Sequence, residues 1–201
     1  DDDEQVRLET LVAGLVLPLR NAVRYQKAIY YALRDDLTGL RNSSAYYDNI
    51  SIEIQRAQRY KIPFSLLLIN LDDFTAINER FGHDAGNSVL VEVASRLERK
   101  ARTSDILFRK GGDEFLLFLP NTSQSAAVIA AERVKQSLLS ESCKVDDTDI
   151  LFTASIGVVT VLPDDSPLSL INRADQALYH AKVLGKDRIQ AELNSANRLQ
   201  E

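Results

Sequence analysis

Arg109-Lys110-Gly111-Gly112-Asp113-Glu114-Phe115 lies between two short, largely apolar runs, Asp105-Ile106-Leu107-Phe108 before it and Phe115-Leu116-Leu117-Phe118-Leu119 after it. Both runs are rich in aliphatic and aromatic residues, which predicts two buried strands. Consecutive glycines between strands predict a tight hairpin turn, because glycine takes positive φ without steric cost. The turn then carries two adjacent carboxylates, Asp113 and Glu114. Their mutual repulsion would be relieved by a divalent cation, since hard cations prefer carboxylate oxygens. A solvated acidic turn accounts for the same residues, because Asp and Gly are common turn formers.

The chain has 201 residues, room for one domain and an appendage. Apolar residues make up 45%, enough for a substantial core. A net charge of -5 argues against a nucleic-acid binder, which carries a basic face. The single cysteine, Cys143, excludes an internal disulfide and a cysteine-based zinc site, and suits a reducing compartment. No apolar run approaches the ~20 residues that span a bilayer, and no signal peptide is visible. The expectation is a soluble, cytoplasmic protein. The start at Asp1-Asp2-Asp3, with no initiator methionine, predicts a fragment of a longer chain.

Outward from the hairpin, residues Gln5 to Leu33 read as one long helix. Leu8, Leu15, Ala22 and Ile29 recur every seven positions, and Val12, Leu19, Gln26 and Leu33 form the adjacent seam of a coiled coil. Gly14 and Pro18 interrupt it, and a helical proline kinks its helix. Leu11, Val16 and Val23 widen the apolar stripe, so this stalk wants a partner: a second copy, an upstream domain or another protein. A helix folded back on its own domain is the alternative. A second helix is expected from Ser43 to Tyr60, capped by Ser43 or Ser44. Phe64 to Leu71 reads as a central strand buried on both faces. It ends in a polar cluster of Asn70, Asp72 and Asp73.

A short helix from Phe74 to Arg80 leads into a loop, Phe81 to Asn87, whose two glycines suit a backbone closing around something. Helices are expected from Ser88 to Arg102, from Thr122 or Ser123 to Leu139, and from Leu168 to Leu184. Ile150 to Val161 and Asp187 to Ala191 read as strands. The order predicts an α+β fold: a mixed central sheet flanked by helices around a βαββαβ core, preceded by a long N-terminal helix. The expected divisions are a helical stalk over 1–34, one domain over 35–192 and a frayed tail over 193–201.

Gly111-Gly112-Asp113-Glu114-Phe115 resembles the signature of the GGDEF domains, the diguanylate cyclases. Asp36-Leu37-Thr38-Gly39-Leu40, Asn78 with Phe81-Gly82-His83, Ala131-Glu132-Arg133, Ser155-Ile156-Gly157, and Ala174 to Tyr179 with Ala181-Lys182 fall where that family's pattern puts them. The resemblance implies a nucleotidyl-cyclase or polymerase-palm-like fold. It implies a bacterial signalling enzyme that joins two GTP into cyclic di-GMP and releases two pyrophosphates, working as a homodimer with Mg²⁺ or Mn²⁺. Phosphoryl transfer of this kind needs metal ions that neutralise the triphosphate and activate the attacking hydroxyl. By resemblance, Asp113 is a metal ligand and Glu114 serves the metal or deprotonates the hydroxyl, joined by the Asn70 side chain and the Leu71 carbonyl. Asn78 and Asn87 meet the guanine. The backbone near Phe74, Thr75, Gly111 and Gly112 and the side chains of Lys182 and Lys186 meet phosphates, with Lys182 also catalytic. Arg102-Thr103-Ser104-Asp105 resembles the family's RxxD inhibitory site for product, with Arg133 as a further arginine. Arginine suits it, because a planar fork holds phosphate and guanine edges at two points. A surface ion pair at Arg102 and Asp105, and a solvated basic face at Lys182 and Lys186, are the plain structural readings of the same residues.

Four positions depart from the family pattern. Asn70 stands for a metal-binding aspartate and brings no charge. Asn87 stands for an aspartate that accepts from both guanine donors, whereas an amide presents one donor of its own. Thr75 replaces a phosphate-binding lysine, and Lys186 an arginine. Two readings follow: a working cyclase, slow or dependent on an activator, or a degenerate module that binds GTP or cyclic di-GMP and signals through its helix.

Overall fold

The computed structural model describes the backbone of residues 2–192, with side chains at Glu4 and 14–192. The seam positions Leu8, Leu11 and Val12 and the tail 193–201 therefore lie outside the described side chains or residues. Helix α1, Asp2–Ala32, runs through Pro18. Leu15, Val16, Leu17, Leu19, Val23 and Ile29 are all exposed on it, so α1 does not lay this stripe on its own domain.

After α1 come α2 (Ser43–Tyr60), β1 (Phe64–Leu71), α3 (Phe74–Phe81), α4 (His83–Lys100), β2 (Ile106–Gly111), β3 (Glu114–Pro120) and α5 (Gln124–Leu139). Then follow β4 (Cys143–Val145), β5 (Thr148–Ile150), β6 (Ala154–Thr160), α6 (Pro167–Val183) and β7 (Ile189–Ala191). The main sheet has the order β2-β3-β1-β6-β7. β1 pairs antiparallel with β3 and with β6, whereas β6 and β7 are parallel, so the sheet is mixed.

β1 is near-continuously apolar because helices cover both faces. Leu67, Ile69 and Leu71 pack with Val89, Leu90 and Val93 of α4 and with Ala127, Ala131 and Val134 of α5. Leu66 and Leu68 pack with Ile50 and Ile54 of α2 and with Leu170, Ala174 and Leu178 of α6. The Phe108 and Phe118 rings meet at a 50° tilt with centroids 4.7 Å apart, and Phe64 meets Phe118 edge-on at 5.5 Å, filling the α2 side of the hairpin.

Three local expectations need correction. The α2 cap is Asn42, not Ser43 or Ser44: its Oδ1 accepts from the Ala45 amide at 3.2 Å. Its Nδ2 donates to the carbonyls of Ala32 and Arg34, so one side chain ends α1 and starts α2. α4 begins at His83 rather than Ser88, which puts Gly86 and Asn87 on a helix instead of in a loop. The turn is made at Gly82 alone, at φ 86°, and Asp84 in the first turn favours the helix start. The β4–β5 hairpin was not foreseen. It turns at Asp146, at φ 51°, and residues 151–153 then leave the ladder before β6.

Candidate active site

The β2–β3 hairpin turns through Gly111 (φ 149°) and Gly112 (φ 53°), with the register shifting between Arg109 and Gly111. This conformation excludes most side chains and swings Asp113 toward the end of β1. The Leu71 amide donates to the Asp113 carbonyl at 3.3 Å. Asn70 sits directly across the ladder from Glu114, so the two side chains share one face. Asp113, Glu114, Asn70 and Leu71 are therefore one cluster, drawn from residues 40 and more apart in sequence.

Arg109 fixes the turn. Its Nε and Nη2 donate to the Gly112 carbonyl at 3.1 and 2.7 Å, and its Nη1 donates to Asp35 Oδ1 at 2.9 Å. Burial alone would raise the Asp35 carboxyl, but hydrogen bonds from Thr38 and Arg109 outweigh it and hold the group below its ordinary value. The bend after α1 is thereby tied to the acidic hairpin. On the other side of the turn, Lys110 Nζ lies 3.3 Å from Glu114 Oε2 and 3.2 Å from Asp175 Oδ1 on α6. Burial would lower this ammonium's pKa; the two carboxylates outweigh burial and raise it.

α6 starts at a capping box, Ser166 with Ser169, and has Pro167 in its first turn. It lies so close to β6 that a Cβ at Gly157 would come within 2.6 Å of the Ala174 carbonyl and the Leu178 amide. That closeness carries Lys182, in the last turn, to the end of β1. Its Nζ lies 2.6 Å from Asp72 Oδ1, 3.1 Å from the Leu71 carbonyl and 3.4 Å from the Asn70 carbonyl. Lys186 Nζ reaches Asp73 Oδ1 at 2.5 Å.

Asp72 was placed by the sequence in the polar cluster ending β1, but with no role assigned. It is only 4% exposed. Oδ1 accepts from Lys182 and from Ser155 Oγ at 2.8 Å. Oδ2 accepts from Thr153 Oγ1 at 2.7 Å and from the Asp187 amide at 3.0 Å. Burial would raise its pKa, but these donors, Lys182 first, outweigh burial and hold it low. The available signal was an acid at the tip of an apolar strand.

α3 and α4 form a second wall. Phe74 and Thr75 open α3, where the first amides have no helical partner, and the preceding Asp73 is left-handed (φ 54°) with no side-chain cap. Among the described residues neither amide atom of Asn78 has a hydrogen-bond partner, and its carboxamide rests on Gly86 of α4. Asn87 follows on α4 and lines a cavity of about 830 Å³ with Leu37, Val91 and Cys143. Arg102 and Asp105 lie elsewhere, at the α4–β2 turn, where the Arg102 amide donates to Asp105 Oδ2 at 2.8 Å. They line a separate cavity of about 350 Å³ together with Arg34 and Arg41. Arg133 is exposed on α5 and does not line it.

A mixed sheet has helices on both faces, a glycine hairpin carries two acids to the tip of its central strand, and lysines converge there. Residues 32–188 match the family model described as "Diguanylate cyclase, GGDEF domain", and the chain belongs to that family. The response regulator PleD of Caulobacter vibrioides is 36% identical over 174 residues, covering 85% of this chain and 38% of PleD. Diguanylate cyclase DgcP of Pseudomonas aeruginosa is 35% identical over 159 residues, 79% of this chain and 24% of DgcP. The chain thus spans well under half the length of these curated relatives. Among solved structures, the coiled coil and GGDEF domain of DgcB from Caulobacter crescentus, in complex with c-di-GMP, superposes with a TM-score of 0.84 at 27% identity, covering 92% of this chain and 99% of that one. SiaD of Pseudomonas aeruginosa, in complex with its activator SiaC, gives a TM-score of 0.78 at 33% identity over 92% of this chain and 75% of that one. No helix among the described residues is long and apolar enough to cross a membrane.

Proposed function

We propose that this chain is the catalytic part of a diguanylate cyclase that condenses two GTP into cyclic di-GMP. The observation that carries the reading is the intact glycine hairpin, which sets Asp113 and Glu114 beside Asn70 and Leu71 at the tip of β1. In each half-reaction the 3′-hydroxyl oxygen of one GTP bonds to the α-phosphorus of the other. The bond to the pyrophosphate breaks, and the hydroxyl gives up its proton to Glu114 or to water. Asn78 and Asn87 face the base. Lys182, Lys186 and the amides at Phe74, Thr75, Gly111 and Gly112 face the phosphates.

Among the described residues no three His, Cys, Asp or Glu side chains gather as a metal site. That suits Mg²⁺, which takes one or two carboxylates plus substrate phosphates rather than an all-protein cage. Asp113, Glu114, the Asn70 amide oxygen and the Leu71 carbonyl would hold Mg²⁺ or Mn²⁺. When bound, the metal would neutralise phosphate charge and favour the hydroxyl's deprotonation. Arg102 and Asp105 would bind product as an inhibitory site, with Arg133 contributing from outside that cavity.

Two active sites must face one another, so the enzyme is a homodimer. The exposed stripe of α1 is suited to pair two chains as a coiled coil, or to receive an upstream domain or an activating partner. GTP as substrate suits a cytoplasmic location.

A second reading, a binding module without turnover, draws on Asn70, Thr75 and Asn87. Incubation with GTP and Mg²⁺ or Mn²⁺ at several protein concentrations separates the two. Cyclic di-GMP should form, with a rate per chain that rises with concentration. No product at any concentration, with nucleotide binding retained, would leave the module. Deleting residues 1–33 should lower the rate most in dilute protein, because the stalk raises the local concentration of one domain near the other. An equally active dilute truncation would refute that role.

A further inference from the structure

Two glycines of this domain leave no room for a methyl group, and they differ in what stands in the way. At Gly157 a Cβ would strike backbone, the Ala174 carbonyl and the Leu178 amide, so that glycine seats α6 on the sheet. At Gly86 a Cβ would lie 1.9 Å from Asn78 Oδ1, 3.0 Å from Asn78 Cγ and 3.2 Å from Phe74 Cζ. These atoms are the far ends of side chains on α3. Gly86 itself sits inside α4 and is not among the positive-φ glycines. A glycine inside a helix costs about 1 kcal/mol relative to alanine, so backbone conformation gives no reason for it. The space it leaves does: the Asn78 carboxamide and the Phe74 ring both close down on the bare Cα.

We propose that Gly86 is a positioning residue for the nucleobase. Its missing side chain lets the Asn78 carboxamide lie against α4 in the one orientation that reads guanine. The inference rests on the reading of Asn78 as a guanine contact. An alanine here would push the carboxamide off its seat, a small cost in folding, because a flexible side chain gives way. The directional hydrogen bonds to the base are lost with that seat.

The test is displacement of a fluorescent guanine nucleotide from the full chain by GTP and by ATP, with melting temperature as the control. Gly86→Ala should fold and should lose about tenfold in its preference for GTP over ATP, the scale of one misplaced polar contact. ATP binding itself should not change. In an Asn78→Ala background the same Gly86→Ala change should alter the preference no further. A folded Gly86→Ala protein with unchanged preference overturns the inference, as does an equal further loss in the Asn78→Ala background. If Gly86→Ala alone does not fold, the double variant should, since Oδ1 and Cγ are then gone; a double variant that stays unfolded also overturns it. An Asn78→Ala protein with unchanged preference would instead refute the guanine reading of Asn78 itself.

Discussion

Asp72 and Asp113 flank the same backbone hydrogen bond, Leu71 amide to Asp113 carbonyl, yet they are opposite kinds of acid. Asp72 is buried, and both its oxygens are filled by four donors from residues 81 to 115 positions away. Asp113 sits half-exposed on a glycine turn, and among the described residues its carboxylate has no partner. One acid joins the end of β1 to α6 and the start of β6; the other is left with its lone pairs open. Saturation, more than position, separates the scaffold carboxylate from the one that faces a ligand.

Asp113→Asn gives the largest expected effect and should divide the two roles. Cyclic di-GMP formation should fall by about a thousandfold, as when one charge-stabilising group is removed from a transition state. Urea unfolding should shift by less than about 0.5 kcal/mol, as for an exposed substitution. Equal losses of stability and rate would erase the contrast.

Asp72→Asn should weigh on stability instead, costing about 3 kcal/mol because it removes the carboxylate partner of Lys182 and breaks a buried pair. The sign of the pH dependence follows from the Asp72 carboxyl, held below its ordinary 3.8 by Lys182 and its other donors. Its contribution is complete above that value and fades as pH falls toward the lower native value. The difference between wild type and Asp72→Asn should therefore be full at pH 7 and close only in acid below 3.8, measured by urea midpoints across pH. A difference that shrinks already near neutrality would contradict the assignment.

Asn70→Asp should have the smallest effect and sharpens the comparison by adding an open acid opposite Glu114. Without metal, like charges across the ladder should cost about 0.5 kcal/mol. With Mn²⁺ the melting temperature should recover, and the rate should rise about tenfold as a metal-held carboxylate is restored. An unchanged metal dependence would show that position 70 does not face the metal.

The strands of the main sheet, the glycine hairpin and helices α2 and α6 were legible because each rests on local chemistry, a run or a periodic spacing of apolar residues or a glycine pair, whereas the α2 cap was misassigned and β4 and β5 were not foreseen. Asp113, Glu114, Asn70 and Leu71 were legible as a group only through the family pattern, since they meet by register between strands. Asp72 was legible only as one of a polar cluster, because its importance lies in partners far along the chain. Lys182, expected on phosphates, is held by that same carboxylate and by two strand-end carbonyls. Gly86 and Asn87 were read as loop because glycine usually breaks a helix; here the break is avoided, and the space is used. Arg96 was also invisible: it is buried and donates to the carbonyls of Leu138, Glu141 and Ser142, holding the end of α5 to α4.

The most direct test of the account is a crystal structure of the full chain with a non-hydrolysable GTP analogue and Mg²⁺. The triphosphate should lie between the Gly111–Gly112 turn and the start of α3, with metal density touching Asp113 and the Leu71 carbonyl and the base beside Asn78. A nucleotide bound away from the tip of β1, with that corner free of metal, would contradict it.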